Sequence, residues 1–390
     1  MPGHTIGAMT QPATGSGAAA GRRTIAPVLA LDLGGTQLRA AVVLADGSLR
    51  GRSVARTPRT TDGDAIVREC LELLRRAAAS ATADESPQAL GISAPGPLDA
   101  RRGVFLDPPN LPRSLWNFPL AAALSSGVGL PAALDKDTNV AALAEGRFGA
   151  AQGIDDYVYL TVSTGVGGAV VNGGRLVTGA DGAGGELGHL MVDPNGPACG
   201  CGVRGHLEAY SSGTGIAAAL RRAVADGLVR PGTPLAVRAA EQGADMLEAR
   251  DVARAEDDGD LLAAEIMTAA RYALASAMVT IVNVFNPTRV IVGGGISLGQ
   301  GDRLLEPARA KVREEAFRVQ AASVDIVSAG LGDDVGLVGA LALVADRLSP
   351  RPSTVGRSAL MPGAPEGEDS NRTPNQLPDL VTRSAEEVTT

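Results

Sequence analysis

The chain has 390 residues, enough for two domains, and its 45% hydrophobic and 20% charged residues are typical of a globular protein with a sizeable core. Its net charge of -8 argues against nucleic acid as the main partner, because a protein that binds a phosphate backbone needs a basic face. Three cysteines are too few for a disulfide framework, and the first residues lack the apolar core of a secretory signal, so we expect a reduced, cytoplasmic setting.

The first apolar runs follow a segment that is poorly suited to folding. Residues 1–24 are rich in Gly, Ala, Thr and Ser without periodicity, which predicts a disordered leader. The apolar run 28–33 then enters a turn at 34–36, and a second apolar run follows at 38–44. This order predicts a strand, a glycine turn and a second strand.

The same design returns later in the chain. The apolar run 157–162 enters a glycine-rich turn at 163–168, and 169–171 leads back. Two copies of strand, Gly/Thr turn and strand predict two related halves, although glycine hairpins are common and the pattern alone is weak evidence.

The rest of the apolar pattern predicts helices that alternate with strands. The predicted helices are 62–80, 137–148, 260–285 and 337–348, and the further predicted strands are 89–93 and 289–292. Such alternation predicts an α/β fold with largely buried sheets. The most apolar stretch, 272–285, is shorter than the roughly 18 residues of a membrane-spanning helix, so no membrane partner is expected. The last part, 350–390, is poor in apolar residues and is predicted to be a disordered tail.

Three glycine turns are candidates for phosphate binding, because glycine lets backbone N–H groups approach phosphate oxygens closely. The first turn also has a carboxylate able to reach a metal ion or its waters. The chain has no Walker A sequence and no well-placed G-x-G-x-x-G, which argues against P-loop and Rossmann folds. One such turn alone is more often structural, but all three follow apolar strands. The candidate nucleotide-binding residues are Asp32, Gly34, Gly35, Thr36, Thr164, Gly165, Gly167, Gly293, Gly294 and Gly295.

A cluster of cysteine and histidine residues predicts a metal site. Two of the three cysteines and two of the three histidines form the pattern His189-x9-Cys199-x-Cys201-x4-His206. Two thiolates and two imidazoles suit tetrahedral Zn²⁺, and four protein ligands leave no open position, so the zinc is expected to be structural. The alternative is a flexible loop in which these residues cluster by accident.

Three carboxylates lie where they could serve a site. Asp137 begins the predicted helix 137–148, where the positive helix end stabilises a carboxylate, although a simple N-cap would look the same. Glu186 and Glu208 flank the metal cluster. They are either a solvated rim or acceptors for sugar hydroxyls.

Taken together, these motifs resemble the ROK family (repressors, open reading frames and kinases) within the hexokinase/actin superfamily. The resemblance spans about 27–348, and its most specific parts are the segments 163–168, 184–189 and 199–208. It implies an α/β, two-lobed actin/hexokinase-like (ribonuclease H-like) fold with duplicated mixed β-sheets flanked by helices. The expected smaller lobe is 25–136 with 336–349. The expected larger lobe is 137–335 and contains the zinc loop 189–206.

The resemblance also implies a sugar deep in the cleft and MgATP between the glycine turns. Asp137 would be the base that takes a proton from the sugar hydroxyl, normally O6, as that oxygen attacks the γ-phosphate. Asn110, Glu186, His189 and Glu208 would hold sugar hydroxyls, with His189 ligating zinc through its other nitrogen.

Two positions depart from the family pattern. His206 stands where the family usually has a third cysteine, and histidine can still ligate zinc. Lys136 stands where the family usually has an asparagine that bonds a sugar hydroxyl. A lysine is charged and can only donate hydrogen bonds, so this sugar-contacting position leaves the identity of the sugar open.

The implied activity is ATP-dependent phosphorylation of a hexose at O6, with glucose as the first choice. N-acetylmannosamine, N-acetylglucosamine and fructose are the alternatives, and polyphosphate is an alternative donor. A catalytically silent sugar sensor is a further alternative. A DNA-binding repressor is not expected, because only about 26 residues precede the first strand, too few for a helix-turn-helix domain. The expected assembly is a homodimer or homotetramer.

Overall fold

The computed structural model describes residues 26–348. The predicted leader 1–24 and tail 350–390 lie outside them. The strands are β1 Val28–Leu33, β2 Gln37–Val43, β3 Leu49–Arg56, β4 Ala89–Ala94, β5 Leu98–Asp99, β6 Val104–Phe105, β7 Ala132–Lys136, β8 Tyr157–Val162, β9 Val166–Asn172, β10 Arg175–Leu176, β11 Arg289–Gly293 and β12 Asp325–Ser328. The helices are α1 Gly63–Ala79, α2 Leu120–Val128, α3 Asp137–Phe148, α4 Glu208–Ser211, α5 Gly213–Ala225, α6 Pro234–Gln242, α7 Ala249–Asp257, α8 Leu261–Phe285, α9 Gly295–Gln300, α10 Asp302–Glu315, α11 Arg318–Ser323 and α12 Val335–Arg347.

Two five-stranded sheets share one topology. The first has the strand order β3-β2-β1-β4-β7 and the second the order β10-β9-β8-β11-β12. In each sheet the antiparallel strands come first, and the last three strands run parallel. This repetition agrees with the two related halves that the strand–turn–strand copies predicted, and it confirms the duplicated mixed sheets that the family resemblance implied.

Strand β1 shows how the sheets are buried on both faces. Leu29, Leu31 and Leu33 face a cluster that includes α1 and α2, whereas Val28 and Ala30 face a cluster that includes α12. Alternate residues of one strand point to opposite faces, so a run of apolar residues gives two apolar faces.

Helix α3 packs between the two sheets. Val140 belongs to the apolar cluster of the first sheet, while Ala141 and Ala142 belong to a cluster with β8, β9 and β11 of the second. Small side chains on α3 allow this close packing on both sides. The first residue of α3 is Asp137, so the helix carries that carboxylate into the region between the sheets.

The elements predicted from the sequence are confirmed to within two residues, except at the second glycine turn. Strand β9 begins at Val166, so Gly167 and Gly168 are part of a strand and the turn is shorter than predicted. These glycines are required by close neighbours, since Leu187 leaves no room for a side chain on Gly168. The lobe boundaries stay a prediction, because the described residues all belong to one compact unit.

Helix α8 is longer than the apolar stretch singled out in the sequence. Its 25 residues make it long and apolar enough to cross a membrane by length and composition alone. Residues from Ala273 to Val282 instead pack into the core of the second sheet with β8, β11 and α10. A buried core helix of this kind passes the same length test, so α8 is weak evidence for a membrane span.

The contact between β4 and α12 gives a test of the packing. A Cβ atom at Gly91 would lie 2.6 Å from the backbone oxygen of Ala340. We expect Gly91→Ala to lower the free energy of unfolding, measured in urea, by about 1–3 kcal/mol, because the helix would be pushed off the sheet. Gly299→Ala on α9 is the control, since a Cβ there meets open space. Equal stability of the two variants would contradict the packing.

Candidate active site at the carboxyl ends of the two sheets

Most of the predicted nucleotide-binding residues, together with Lys136, lie at the carboxyl ends of parallel strands, where α/β sheets generally bind ligands. Asp32 lies near the end of β1, and Lys136 ends β7. In the second sheet the turn 163–165 follows β8, and Gly293 ends β11. Both sheets therefore present their predicted site residues at the same kind of edge.

The first glycine turn is held by hydrogen bonds of its own sheet. The Gly34 N–H donates to the Gln37 oxygen at 2.9 Å, and the Thr57 hydroxyl donates to the Gly34 oxygen at 2.6 Å. A Cβ atom on Gly35 would lie 3.6 Å from the Cβ atom of Asn110. The structure thus brings Asn110, a predicted sugar contact, beside this turn.

Asp32 is a largely buried carboxylate next to that turn. Its Oδ1 accepts a hydrogen bond from the Ser93 hydroxyl at 2.9 Å, and Arg39 lies 3.4 Å from its Oδ2. Desolvation raises the pKa of Asp32, and the Ser93 hydrogen bond and the charge of Arg39 oppose this rise. A carboxylate in this position can bind the waters of a divalent cation.

The second glycine turn is held by a hydrogen bond of its own and by helix α5. The Ser163 N–H donates to the Gly165 oxygen at 2.9 Å, and the Thr214 N–H of α5 donates to the Thr164 oxygen at 3.1 Å. A Cβ atom on Gly167 would lie 2.6 Å from the Thr138 methyl group, next to Asp137 on α3. The turn is therefore in contact with the start of α5, and strand β9, which follows the turn, is in contact with the start of α3.

A cavity of about 730 Å³ opens from this turn, within the size range of small-molecule sites. Its lining includes Ser163, Thr164, Thr214, Gly295 and Arg254. The second and third glycine turns thus share one cavity. Gly294, with φ of +91°, lets the third turn lie close to the end of β8, because a Cβ atom there would be 2.5 Å from the Val162 oxygen.

Sequence reasoning missed much of the cavity wall. The wall includes 245–250 and parts of α5 and α7, for which no element was predicted. The amphipathic pattern of α7 could have identified a helix there. No local pattern shows that this helix folds back over a turn more than 80 positions earlier in the sequence.

The Asp137 side chain is exposed to solvent. Protein atoms nevertheless surround its carboxylate and displace part of its hydration. Its Oδ1 accepts a hydrogen bond from the Thr138 N–H at 2.7 Å. Desolvation is the main cause that raises its pKa to about 6. The negative charges of Asp32 and Glu186 raise the pKa further, and the positive charge of Lys136 lowers it. Such a group can accept a proton near neutral pH.

Lys136 contacts the segment that precedes the metal cluster. Its ammonium donates to Glu186 Oε1 at 2.6 Å and to the Gly184 oxygen at 3.1 Å. The structure thereby joins two predicted sugar-contacting residues, one at the end of β7 and the other 50 positions later.

The four predicted metal ligands converge. One ligand atom from each of them lies within 4.8 Å of the others. The Nδ1 atoms of His189 and His206 are 3.2 Å apart, and the Cys201 sulfur lies 3.3 Å from His206 Nδ1. Tetrahedral zinc with bonds of 2.0–2.3 Å would place its ligand atoms about 3.3–3.8 Å apart, so the donor set fits this ion.

Glu208 connects the metal cluster to the second glycine turn. Its Oε2 accepts a hydrogen bond from the Val166 N–H at 2.9 Å, and its Oε1 lies 3.7 Å from the Cys199 sulfur. A Cβ atom on Gly165 would lie 2.6 Å from the same carboxylate. The metal loop is therefore adjacent to a predicted phosphate turn, a proximity that the sequence did not reveal.

Comparison with known proteins agrees with this fold. The ROK family model matches residues 28–347. The glucokinase of Thermotoga maritima is 36% identical over 324 residues, covering 82% of this chain and 98% of that protein. The N-acetylmannosamine kinase of Shigella flexneri is 36% identical over 317 residues, covering 81% and 97%. A crystal structure of a ROK glucokinase from Streptomyces griseus with glucose and AMPPNP has 33% identity and a TM-score of 0.66, covering 81% and 98%.

Two sheets of the ROK hexokinase fold, with these relatives, define the protein as a sugar kinase. The chain belongs to the ROK family.

Proposed function

We propose that the protein transfers a phosphoryl group from ATP to O6 of a hexose, with Asp137 as the base. The observation that carries this proposal is the position of Asp137, with its pKa of about 6, close enough to Asp32 and to the Lys136–Glu186 pair for their charges to act on that pKa. Phosphoryl transfer depends mostly on positioning and charge stabilisation, which suits a site built from turns at strand ends.

Each part of the site has a task in this proposal. Asp137 accepts the proton of the attacking hydroxyl. The turns at Gly34, Thr164 and Gly294 supply N–H groups for phosphate oxygens, and the 730 Å³ cavity beside Thr164 holds the nucleoside. Asp32 would hold the waters of Mg²⁺, which neutralises phosphate charge when it is bound. Asn110, Glu186, His189 and Glu208 hold sugar hydroxyls.

Glucose is the proposed substrate, and N-acetylmannosamine, N-acetylglucosamine and fructose are the alternatives. Relatives named as glucokinase and as N-acetylmannosamine kinase are equally similar to this chain, at 36% identity. The deciding experiment is a coupled assay of the purified protein with this sugar panel, using ATP and polyphosphate in parallel. Turnover of none of these sugars with either donor would overturn the proposed function.

We further propose a structural Zn²⁺ held by His189, Cys199, Cys201 and His206. The two Nδ1 atoms that face each other are the proposed donors of the histidines. His189 would then keep Nε2 for a sugar hydroxyl, which couples the metal to the sugar pocket. The proposed setting is the cytoplasm, as a homodimer or homotetramer without nucleic acid or membrane partners.

The role of Asp137 is tested by removing its charge. We expect Asp137→Asn to lower kcat by about 10²–10⁴-fold, because the amide cannot accept the hydroxyl proton. Nucleotide binding, measured by calorimetry, should be retained because the glycine turns are untouched. Turnover close to that of the unmodified protein would remove Asp137 from this role.

The raised pKa of Asp137 predicts the acid limb of the pH profile. The base works in its deprotonated form, so kcat/KM should be full above the pKa and fall as pH drops through about 6. An unperturbed aspartate would place this limb near about pH 4. A profile that stays flat down to pH 5 would contradict a raised pKa at the catalytic base.

The zinc proposal predicts one metal ion per chain by elemental analysis. Cys201→Ala should lose the metal and weaken sugar affinity more than nucleotide affinity, because His189 lies on the loop that the metal holds and Glu186 and Glu208 flank it. His206→Cys should retain zinc, since a thiolate is a good ligand. Cys70→Ala is the control, because Cys70 lies on α1 away from the cluster. Active protein without stoichiometric metal would refute the proposal.

A further inference from the structure

The chain uses lysine at only two positions, Lys136 and Lys311, against 33 arginines. Lys136 is therefore an unusual choice of cation in this sequence. It immediately precedes Asp137, and its side chain is 7% exposed. A buried lysine beside the proposed base needs a specific partner, because an unpaired buried charge is costly.

The partner of Lys136 is on a different part of the chain. Its side chain passes Gly96, where an added Cβ atom would lie 3.3 Å from the lysine Cδ. The ammonium then reaches Glu186 and the Gly184 oxygen on the loop after β10. Lys136 thus connects the last strand of the first sheet with a loop of the second sheet.

The two ends of this ion pair are unequally exposed. Glu186 is 51% exposed, whereas Lys136 is enclosed. The lysine donates its hydrogen bond to Oε1 of Glu186, and Oε2 accepts no hydrogen bond from the residues that the structure describes. The ammonium therefore fixes one carboxylate oxygen and leaves the other for a ligand.

We propose that Lys136 is a positioning residue. It holds Glu186 in the orientation in which the carboxylate accepts a hydrogen bond from a hydroxyl group of an uncharged sugar. This inference rests on the proposed function and adds a substrate class and a residue role to it. An ionised carboxylate can only accept hydrogen bonds, so the sugar group opposite Oε2 must be a donor. Glu186 neutralises the lysine and Arg39 pairs with Asp32, so the ionised Asp137 leaves the surroundings negative, which disfavours sugars that carry carboxylate or phosphate groups.

Lysine suits this task better than the other residues that could stand here. Its ammonium is a compact charge with three N–H groups, which can serve a carboxylate and a carbonyl at the same time. Asparagine would offer a neutral amide on a shorter side chain, too weak to hold a carboxylate by charge. Arginine keeps the charge but spreads it over a planar fork.

The central experiment is a double-mutant cycle with Lys136→Met and Glu186→Gln, read out by the KM for the sugar and by calorimetric sugar affinity. We expect Lys136→Met to weaken sugar binding by about 10–100-fold, because a hydrogen bond between charged groups is lost. The KM for ATP should change by less than about twofold, since the nucleotide cavity is not touched. The double variant should cost no more than the worse single variant, as residues that act as one unit are not additive.

Two further variants separate positioning from mere stability. Lys136→Arg should restore part of the sugar affinity, because it keeps a cation at the carboxylate. Lys311→Met is the matched control: it removes the other lysine, which pairs with Glu315 on α10. It should leave sugar KM unchanged. Melting temperature and ATP binding establish that each variant is folded, and Glu186→Gln breaks the same pair from the other side should Lys136→Met fail to fold.

The pH profile gives a readout that a structural role would not change. The charged groups facing Asp137 are Asp32 on β1, Lys136 on β7 and Glu186 on the loop after β10, and Tyr159 on β8 also faces it. Removing the positive charge of Lys136 makes the ionised form of Asp137 less favourable. The acid limb of kcat/KM in Lys136→Met should therefore move to higher pH.

The outcomes distinguish this inference from the proposed function. Unchanged sugar affinity in Lys136→Met, or strictly additive effects in the cycle, would overturn the role of Lys136. Binding of a charged sugar in preference to its neutral parent would overturn the substrate class. Sugar binding without any turnover in the unmodified protein would refute the proposed kinase reaction and leave the role of Lys136 to be decided by affinity alone.

Discussion

The position of α3 between the two sheets is the constraint on which the site depends. The helix contacts the first sheet through Val140 and the second through Ala141 and Ala142. Its first residue, Asp137, is thereby placed where both sheets end. A shift of the helix along its axis would move Asp137 away from the glycine turns. The close packing on both sides of α3 opposes such a shift, since packed interiors deform little.

Glycine makes this arrangement compact enough to form a site. Gly167 lets β9 approach the Thr138 side chain, and Gly339 lets α12 approach the Val140 backbone, so both neighbours of α3 come close to it. Bulkier residues would separate these elements and widen the gap between the proposed base and the phosphate turns. Several of the fifty glycines thus serve close approach, while others serve turns with positive φ.

The charges at this centre are arranged at a cost to stability. Asp32 and Asp137 are both desolvated carboxylates, and each has a raised pKa. Lys136 offsets part of this repulsion and is itself held by Glu186. Removing water from an ionised carboxylate costs free energy, so this arrangement serves the proposed site rather than the stability of the fold.

The sequence by itself determined the local features of this protein. The two strand–turn–strand copies were visible as apolar runs that enter glycine turns, and the bounds of β1 and α3 were predicted to the residue. The metal cluster was visible because cysteine and histidine are rare in this chain. These features depend on residue type and near spacing, which a linear pattern records directly.

Only the tertiary structure decided which distant residues meet. The pairing of Lys136 with Glu186, the hydrogen bond from Val166 to Glu208 and the cavity wall formed by α7 each join segments far apart in the chain. Such contacts follow from how helices and sheets pack, and packing depends on the shapes of both partners rather than on the pattern of either one. The sequence therefore predicted the candidate groups of the site, and the fold determined how those groups are combined.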